Sequence, residues 1–136
     1  EIDGNNIVKY NKSIGHPKDY QYRVYNRGIT SDDGKPSVLV NVFDWDEDWT
    51  VQCYENNSLI TNGGRVIPVK GSTDYRADPL YQSYYDGGYL TSHSAYVPYA
   101  TDHLFIFTPS NSDSTLRIVV KNAKTNYSDE TVITLE

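Results

Sequence analysis

The sequence predicts an all-β fold, an antiparallel β-sandwich, and three observations support this prediction. Apolar and aromatic residues alternate with polar ones at a period of two, as they do in half-buried strands. Clusters of Gly, Asn and Asp separate these runs and supply tight turns. The 136 residues include thirteen Tyr, three Phe and no Met. Tyrosine suits a half-solvated sheet face because its hydroxyl needs water or a partner.

The predicted strands follow one another with few signs of helix between them. The strongest alternating runs are residues 20–25, 38–43, 49–55, 104–107, 116–120 and 132–135. Weaker runs are residues 7–10, 58–61 and 65–69. A chain of this length has the size of one domain. We therefore expect residues 1–136 to form a single sandwich of immunoglobulin-like or similar type, because successive strands are separated by turns rather than by helices.

Turn residues stand where these runs end. Asp33-Gly34 closes a loop that begins after Arg27-Gly28. Asn56-Asn57 joins residues 49–55 to the short run that follows, and Asn and Gly tolerate the positive φ of tight hairpin turns. These positions predict hairpins and loops rather than helical crossovers.

One segment, residues 72–102, departs from the strand pattern and is rich in tyrosine. Asp78-Pro79 has the form of a helix N-cap followed by proline at the first helical position, and Gly87-Gly88 has the form of a stop. We expect one short helix at residues 79–85 within this long excursion. Long excursions in compact domains are usually functional or packed across a sheet edge.

The excursion and the residue that follows it supply the candidate binding residues. They are Tyr81, Tyr84, Tyr85, Tyr89, Tyr96, Tyr99 and His103. The tyrosines have three possible roles: they cover the core, form an interface with another domain or protein, or stack on a glycan. The histidine either bonds a neighbour at a strand edge or contacts a partner or ligand.

Charge and cysteine content argue against several function classes. The formal net charge is −6, which disfavours binding to nucleic acid or to anionic lipid. The apolar runs are too short to span a bilayer. The single cysteine, Cys53, excludes an internal disulfide and a Cys-based zinc cluster, and we expect a buried, inert thiol.

The stretch Asp44-Trp45-Asp46-Glu47-Asp48 has three interpretations. Asp44, Asp46 and Asp48 have the spacing of an EF-hand loop, but its sixth position, which requires Gly, is Trp49. A looser calcium site and a pair of catalytic acids stay open as alternatives. The third interpretation is a tight turn between two strands, with the aspartates accepting backbone N–H groups and the two tryptophans closing the end of the core.

Three ordered blocks carry a resemblance to a known family. They read YNKSIGHPKDYQYRVY, NVFDWDEDWTVQCYENN and TDHLFIFTPSNSDSTLRIVVKNAKTNYSDE. Together they resemble the C-terminal domain of secreted calcineurin-like metallophosphoesterases, in which a β-sandwich follows the phosphoesterase domain. The similarity extends from about residue 10 to about residue 131, and the region of residues 119–127 departs from the family pattern.

The resemblance implies a non-catalytic module of a larger hydrolase. His16, His93 and His103 form none of the metal-binding strings of the catalytic domain, which are Asp-x-His, Gly-Asp, Gly-Asn-His and Gly-His-x-His. We therefore expect no catalytic residue, metal or cofactor here, and divalent metals only in the catalytic domain of the same protein, which is the expected partner. The family implies a secreted, periplasmic or surface location in a Gram-negative bacterium. The alternative is an independent carbohydrate- or protein-binding module of immunoglobulin-like type.

Overall fold

A computed structural model of the chain describes residues 2–7, 10, 12, 14–31, 33–66 and 103–136. These residues form two four-stranded antiparallel sheets and a separate two-stranded hairpin. The strands are β1 (Ile2–Asp3), β2 (Asn6–Ile7), β3 (Tyr22–Tyr25), β4 (Val38–Val42), β5 (Trp49–Glu55), β6 (Ser58–Leu59), β7 (Gly63–Val66), β8 (Leu104–Phe107), β9 (Leu116–Asn122) and β10 (Tyr127–Ile133). The predicted all-β sandwich is confirmed.

The two sheets divide the strands between them. One has the order β10-β9-β5-β6 and the other the order β3-β4-β8-β7, and every strand pair is antiparallel. The hairpin of β1 and β2 lies outside both sheets. Consecutive strands β4 and β5 belong to different sheets, so the acidic stretch between them connects the two layers of the sandwich.

The main core lies between the sheets and uses alternate residues of β4, β8 and β9, together with Tyr22 of β3 and Cys53 of β5. Val38, Val40 and Val42 of β4 are fully buried, and they face Cys53 of β5 and the alternate residues of β9. The whole buried cluster is Tyr22, Val38, Val40, Val42, Cys53, Phe105, Phe107, Leu116, Ile118 and Val120. This pattern is the period of two expected of strands with one face in the core.

A second buried cluster lies on the opposite face of the sheet that contains β4. Leu39 of β4 and Leu104 of β8 are 0% and 2% exposed, and Ile29 packs with them from the loop between β3 and β4. Strand β4 is therefore buried on both faces. This explains the nearly continuous apolar run of residues 38–43, since a strand covered on both faces needs apolar residues at successive positions.

Strands β3 and β10 are edge strands on the same flank of the sandwich. Hydrogen bonds of Asn26, the residue after β3, connect it to the residues after β10. The side-chain amide of Asn26 donates to the carbonyl of Thr134 at 2.8 Å, and the Asn26 carbonyl accepts the N–H of Glu136 at 3.0 Å. The C-terminal residues thus continue β10 and bond to the end of β3.

Local turn chemistry agrees with the sequence expectations. Asn56 and Asn57 have φ of +48° and +69° and join β5 to β6 as a two-residue hairpin, with Glu55 paired to Ser58. Gly34 has φ of +77° in the predicted loop turn. The predicted helix at residues 79–85 and the rest of the excursion at residues 72–102 lie outside the described residues.

Candidate functional site

One end of the sandwich is built around an acidic connection, residues 43–48, which we call the arch. The Asp46 side chain accepts the backbone N–H of Asp48 at 3.0 Å, and the Asp46 carbonyl accepts that of Trp49 at 3.1 Å. Asp44 has φ of +55°, a conformation that Asp tolerates better than most residues. The arch therefore has the features of the third interpretation, a tight turn that its own aspartates hold.

His103 lies directly before β8, and its ring contacts the chain on either side of the arch entrance. Its Nδ1 atom lies 3.1 Å from the backbone N of Trp45 and 3.1 Å from the carbonyl oxygen of Val42. With the proton on Nε2, Nδ1 accepts from Trp45, and with a proton on Nδ1 it donates to Val42. Either form ties the arch to β8, as expected of a strand-edge histidine. A contact of His103 with a ligand or partner stays a prediction.

Both tryptophans pack against the core at this end. The rings of Trp45 and Phe105 are tilted with centroids 6.2 Å apart, and those of Trp49 and Tyr127 are tilted at 5.3 Å. Burial, followed by the charge of nearby Asp129, raises the pKa of Tyr127 above its ordinary value. The prediction that the two tryptophans close the end of the core is confirmed.

A cavity of about 100 Å³, the end pocket, opens beside the arch. It is lined by Ile7, Tyr10, Gln21, Phe43, Asp44, Asp46, Trp49, Asn122, Lys124 and Thr125. A single water occupies about 10–15 Å³ of such a volume, so the pocket has room for the head group of one side chain. Its wall combines aromatic rings, two carboxylates and one lysine.

The turn between β9 and β10 gives the end pocket a fixed polar wall. Asn122 is buried, and its Oδ1 atom accepts the backbone N–H groups of Lys124 and Thr125 at 3.0 and 2.9 Å and the Thr125 hydroxyl at 3.1 Å. Asn126, with φ of +57°, completes the turn. Because these bonds hold the turn, this side of the pocket is formed before any partner arrives.

The chain next to the end pocket exposes large apolar side chains. Ile7 is 75% exposed, Tyr10 is 37% exposed and Ile14 is fully exposed. Ile7 and Tyr10 line the end pocket, so these two exposed side chains adjoin it. Exposed apolar surface beside a pocket is typical of interaction sites.

A second concavity of about 350 Å³ lies on the flank between β3 and β10. Its base is the Tyr22 hydroxyl, which lies 3.0 Å from Asp129 Oδ2 and 2.7 Å from Thr131 Oγ1. Burial is the largest cause that raises the pKa of Tyr22. The bonds of this groove join the two sheets to each other, which makes it a structural seam.

Within the described residues, the cysteine is buried and one histidine ring is stacked on a tyrosine, as in groups that stabilise a fold. Burial, and then the charge of Glu55, raises the pKa of the Cys53 thiol to about 12, so little thiolate exists at neutral pH. The ring of His16 stacks on Tyr20 with centroids 4.2 Å apart. Within the described residues, no three or more His, Cys, Asp and Glu side chains converge as a metal ion would require.

One of the seven predicted site residues lies within the part of the chain that the structure describes. This residue is His103, and it lies at the arch. The six tyrosines, Tyr81, Tyr84, Tyr85, Tyr89, Tyr96 and Tyr99, lie outside the described residues. Their role as core cover, interface or glycan contact stays a prediction.

In the parts of the chain that are described, no helix has the length and apolar character needed to cross a membrane.

Ile7, Tyr10 and Ile14 were missing from the predicted site residues. The sequence around them reads IVKYNKSIG, in which isolated apolar residues stand among Lys, Asn and Ser. The pattern predicts a weak strand at residues 7–10; β2, Asn6–Ile7, includes the first of these positions, and residues 8 and 9 lie outside the described residues. The signal that was available is the lack of alternation up to Ile14, since apolar residues outside a strand or helix pattern have no core to face.

Comparison with known proteins identifies the family of this domain. Residues 1–127 match a family model described as the C terminal of calcineurin-like phosphoesterase. Searches of curated proteins and of solved structures found no significant match. The match covers the residues before β3, the arch and both sheets through the start of β10. The chain therefore belongs to the family of C-terminal domains of calcineurin-like phosphoesterases.

Proposed function

We propose that residues 1–136 form one accessory domain that packs against the catalytic domain of a calcineurin-like phosphoesterase and catalyses no reaction itself. The observation that carries this proposal is the family match over residues 1–127. A C-terminal domain of such an enzyme acts beside a catalytic domain in the same protein. Family membership favours this function over an independent carbohydrate- or protein-binding module.

The geometry of the described residues supports a structural role. Two polar side chains at the arch contact its backbone, since the Asp46 carboxylate accepts the N–H of Asp48 and His103 Nδ1 lies 3.1 Å from the backbone N of Trp45. The Cys53 thiol is held in its neutral form by burial. These features suit a domain that provides a packing surface and stability to the protein rather than a reactive side chain.

The parent protein in this proposal is a metal-dependent phosphoesterase, a hydrolase. Its divalent metals are bound by side chains of the catalytic domain, and this domain needs no cofactor. The parent is secreted, periplasmic or located at the cell surface of a Gram-negative bacterium, a location that rests on the resemblance to secreted members of the family. Fractionation of the native cells, with detection of the protein in periplasmic, surface and cytoplasmic fractions, tests the location.

Calorimetry of the full-length protein tests the packing. We expect the unfolding transition of this domain to occur at a higher temperature in the full-length protein than in a fragment of residues 1–136, because a bound partner stabilises the native state. The catalytic domain produced alone is the matching comparison. Two transitions that coincide with those of the separate domains would contradict the proposal, since domains that pack together do not unfold independently.

A further inference from the structure

The exposed apolar side chains of the described residues are concentrated in one short segment. The five large ones are Ile7, Tyr10, Ile14, Leu59 and Val132. Three of these five lie within residues 7–14, and two of those three line the end pocket. Leu59 lies on β6, where it pairs with Tyr54 near the far end of β5 from the arch. Three of the five exposed apolar residues are therefore close in sequence to the end pocket, whereas Leu59 and Val132 lie toward the other end of their sheet.

The arch places a group of carboxylates at the end pocket, although the chain around Tyr10 also carries Lys12 and Lys18. Four acidic residues lie in the arch, and two of them, Asp44 and Asp46, line the pocket. Among the lining residues that the structure describes, Lys124 is the one cation. A pocket wall with apolar side chains and an excess of carboxylates is complementary to a partner group with an apolar part and a positive charge.

The end pocket has the chemistry that receives a Lys or Arg side chain. Trp49 supplies a ring face, which attracts a cation, and Asp46 supplies a carboxylate, which pairs with it. The Tyr10 ring already has a cation of this chain, Lys18 Nζ, 5.8 Å from its centroid. The volume of about 100 Å³ accommodates one such head group. Arg and aromatic residues are also the groups that most often carry interface energy.

The position of this surface along the chain indicates which partner reaches it. In a C-terminal domain of this family the catalytic domain precedes the matched region in the same chain. Ile7, Tyr10 and Ile14 belong to the N-terminal part of that region, which is the part nearest to the catalytic domain along the chain. Covalent linkage gives a neighbouring domain a high effective concentration at nearby surfaces.

We propose that the end surface, formed by Ile7, Tyr10, Ile14 and the end pocket, is the face that binds the preceding catalytic domain, with a Lys or Arg side chain of that domain in the end pocket. This inference rests on the proposed function and adds to it the location and the chemistry of the interface. The Trp49 ring contacts the alkyl stem and the cation, and the carboxylates of Asp44 and Asp46 neutralise the charge. Ile7, Tyr10 and Ile14 become buried against the catalytic domain.

Photo-cross-linking in the full-length protein tests the location. A photoreactive phenylalanine derivative is introduced at position 7 in one variant and at position 59 in another, because both positions are exposed and apolar at opposite ends of the sandwich. We expect position 7 to cross-link to peptides of the catalytic domain and position 59 to give at least about tenfold less of that product. Cross-linking from position 59 and not from position 7 overturns the inference and leaves the proposed function in place. Absence of interdomain products from both positions also overturns the inference, and the calorimetric comparison then decides whether the domains pack through another surface.

Charge reversal in the same protein tests the chemistry. Asp46→Lys and Ile7→Glu are each combined with a photoreactive group at position 10, and Asp113→Lys, at an exposed acid outside the end pocket, is the control. We expect Asp46→Lys to lower the yield by at least about tenfold and the control to leave it unchanged, because like charges at an interface are strongly unfavourable. Ile7→Glu should lower the yield by placing a carboxylate on an apolar contact. Resistance of Cys53 to a thiol reagent confirms the native fold of each variant, and Ile7→Glu decides the outcome if Asp46→Lys loses that protection. Unchanged yields in folded variants overturn the inference.

Discussion

The hydroxyl of Tyr22 on β3 lies 2.7 Å from the hydroxyl of Thr131 on β10, and this pair joins the edge strands of the two sheets. The same Tyr22 oxygen lies 3.0 Å from Asp129 Oδ2. Sheets of a sandwich are held together mainly by apolar contact, which has no direction. Directed bonds such as these set the position of one edge relative to the other.

Tyr22→Phe removes these bonds and keeps the ring in the core. We expect the free energy of unfolding to fall by about 1 kcal/mol, the usual net value of a hydrogen bond. Urea denaturation followed by circular dichroism measures it. Tyr54→Phe is the control, since its hydroxyl makes one exposed bond of 3.3 Å to Gln52. Equal losses in the two variants would show that the contact with Thr131 and Asp129 contributes nothing specific.

Gly63 and Gly64 form a matched pair for testing a close backbone contact. Both have φ of +139°, but a Cβ at Gly63 would collide with the Ile106 carbonyl and lie 2.8 Å from the Phe107 Cα, whereas a Cβ at Gly64 meets nothing within 4 Å. We expect Gly63→Ala to be less stable than Gly64→Ala by about 1–3 kcal/mol, because the backbone strain is shared and only the collision differs. Thermal unfolding of both variants measures the difference. Similar stabilities would mean that β7 and β8 separate easily.

His103→Ala tests the connection between β8 and the arch. The change removes the ring that bonds the backbone at Trp45 and Val42, and we expect a loss of about 1–3 kcal/mol in the free energy of unfolding. Tryptophan fluorescence should also change, because Trp45 lies on the arch. His16→Ala, at an exposed residue, is the control and should change stability by less than about 0.5 kcal/mol. The opposite order of effects would contradict the structural role of His103.

Glu55→Gln tests an acid-dependent contact at the other end of the sandwich. Each carboxylate oxygen accepts a backbone N–H at 2.9 Å, from Ser110 and from Asn111, and these bonds lower the pKa of Glu55 below 4.5. A lowered pKa in the folded state means that the contribution to stability is present above about pH 4.5 and is lost as the pH falls below it.

The expected result is a smaller loss of stability between pH 5 and pH 3 in Glu55→Gln than in the wild type. Denaturation midpoints measured across that range provide the comparison. Glu47→Gln, at an exposed position on the arch, is the control and should retain the wild-type acid dependence. A wild-type acid profile in Glu55→Gln would show that the two backbone bonds do not depend on the charge.

Short-range chemistry made part of this fold predictable from sequence. Asn56-Asn57 was predicted as a tight turn and forms one, because positive φ is a local property that Asn tolerates. The tight turn of the arch is predictable in the same way, because aspartate side chains accept backbone N–H groups close to them in sequence. These predictions needed no knowledge of which strands pair.

Features that depend on distant contacts were not predictable in the same way. The polar start of β10 at Tyr127–Ile133 was missed because Asp129 and Thr131 replace apolar inward residues and bond Tyr22 instead. The second cluster around Leu39 and Leu104 was also missed. Alternation identifies a strand but not whether its outer face is covered, so the assignment of strands to sheets had to come from the structure.

The same distinction applies to the candidate site. His103 was selected from its position before an apolar run, and its actual partners are backbone atoms at residues 42 and 45. The end pocket combines residues from the N-terminal segment, the arch and the β9–β10 turn, which are far apart in sequence. Only the fold brings them together, and no local pattern marks such a pocket.

Phosphoesterase activity with and without the catalytic domain tests the central claim most directly. The fragment of residues 1–136 and the full-length protein are incubated with Mn²⁺ and a chromogenic phosphate ester, and the rates are compared at equal molar concentration. We predict hydrolysis by the full-length protein, its loss on metal chelation, and no hydrolysis by the fragment above the rate of buffer. Hydrolysis by the fragment that persists through further purification would contradict the account.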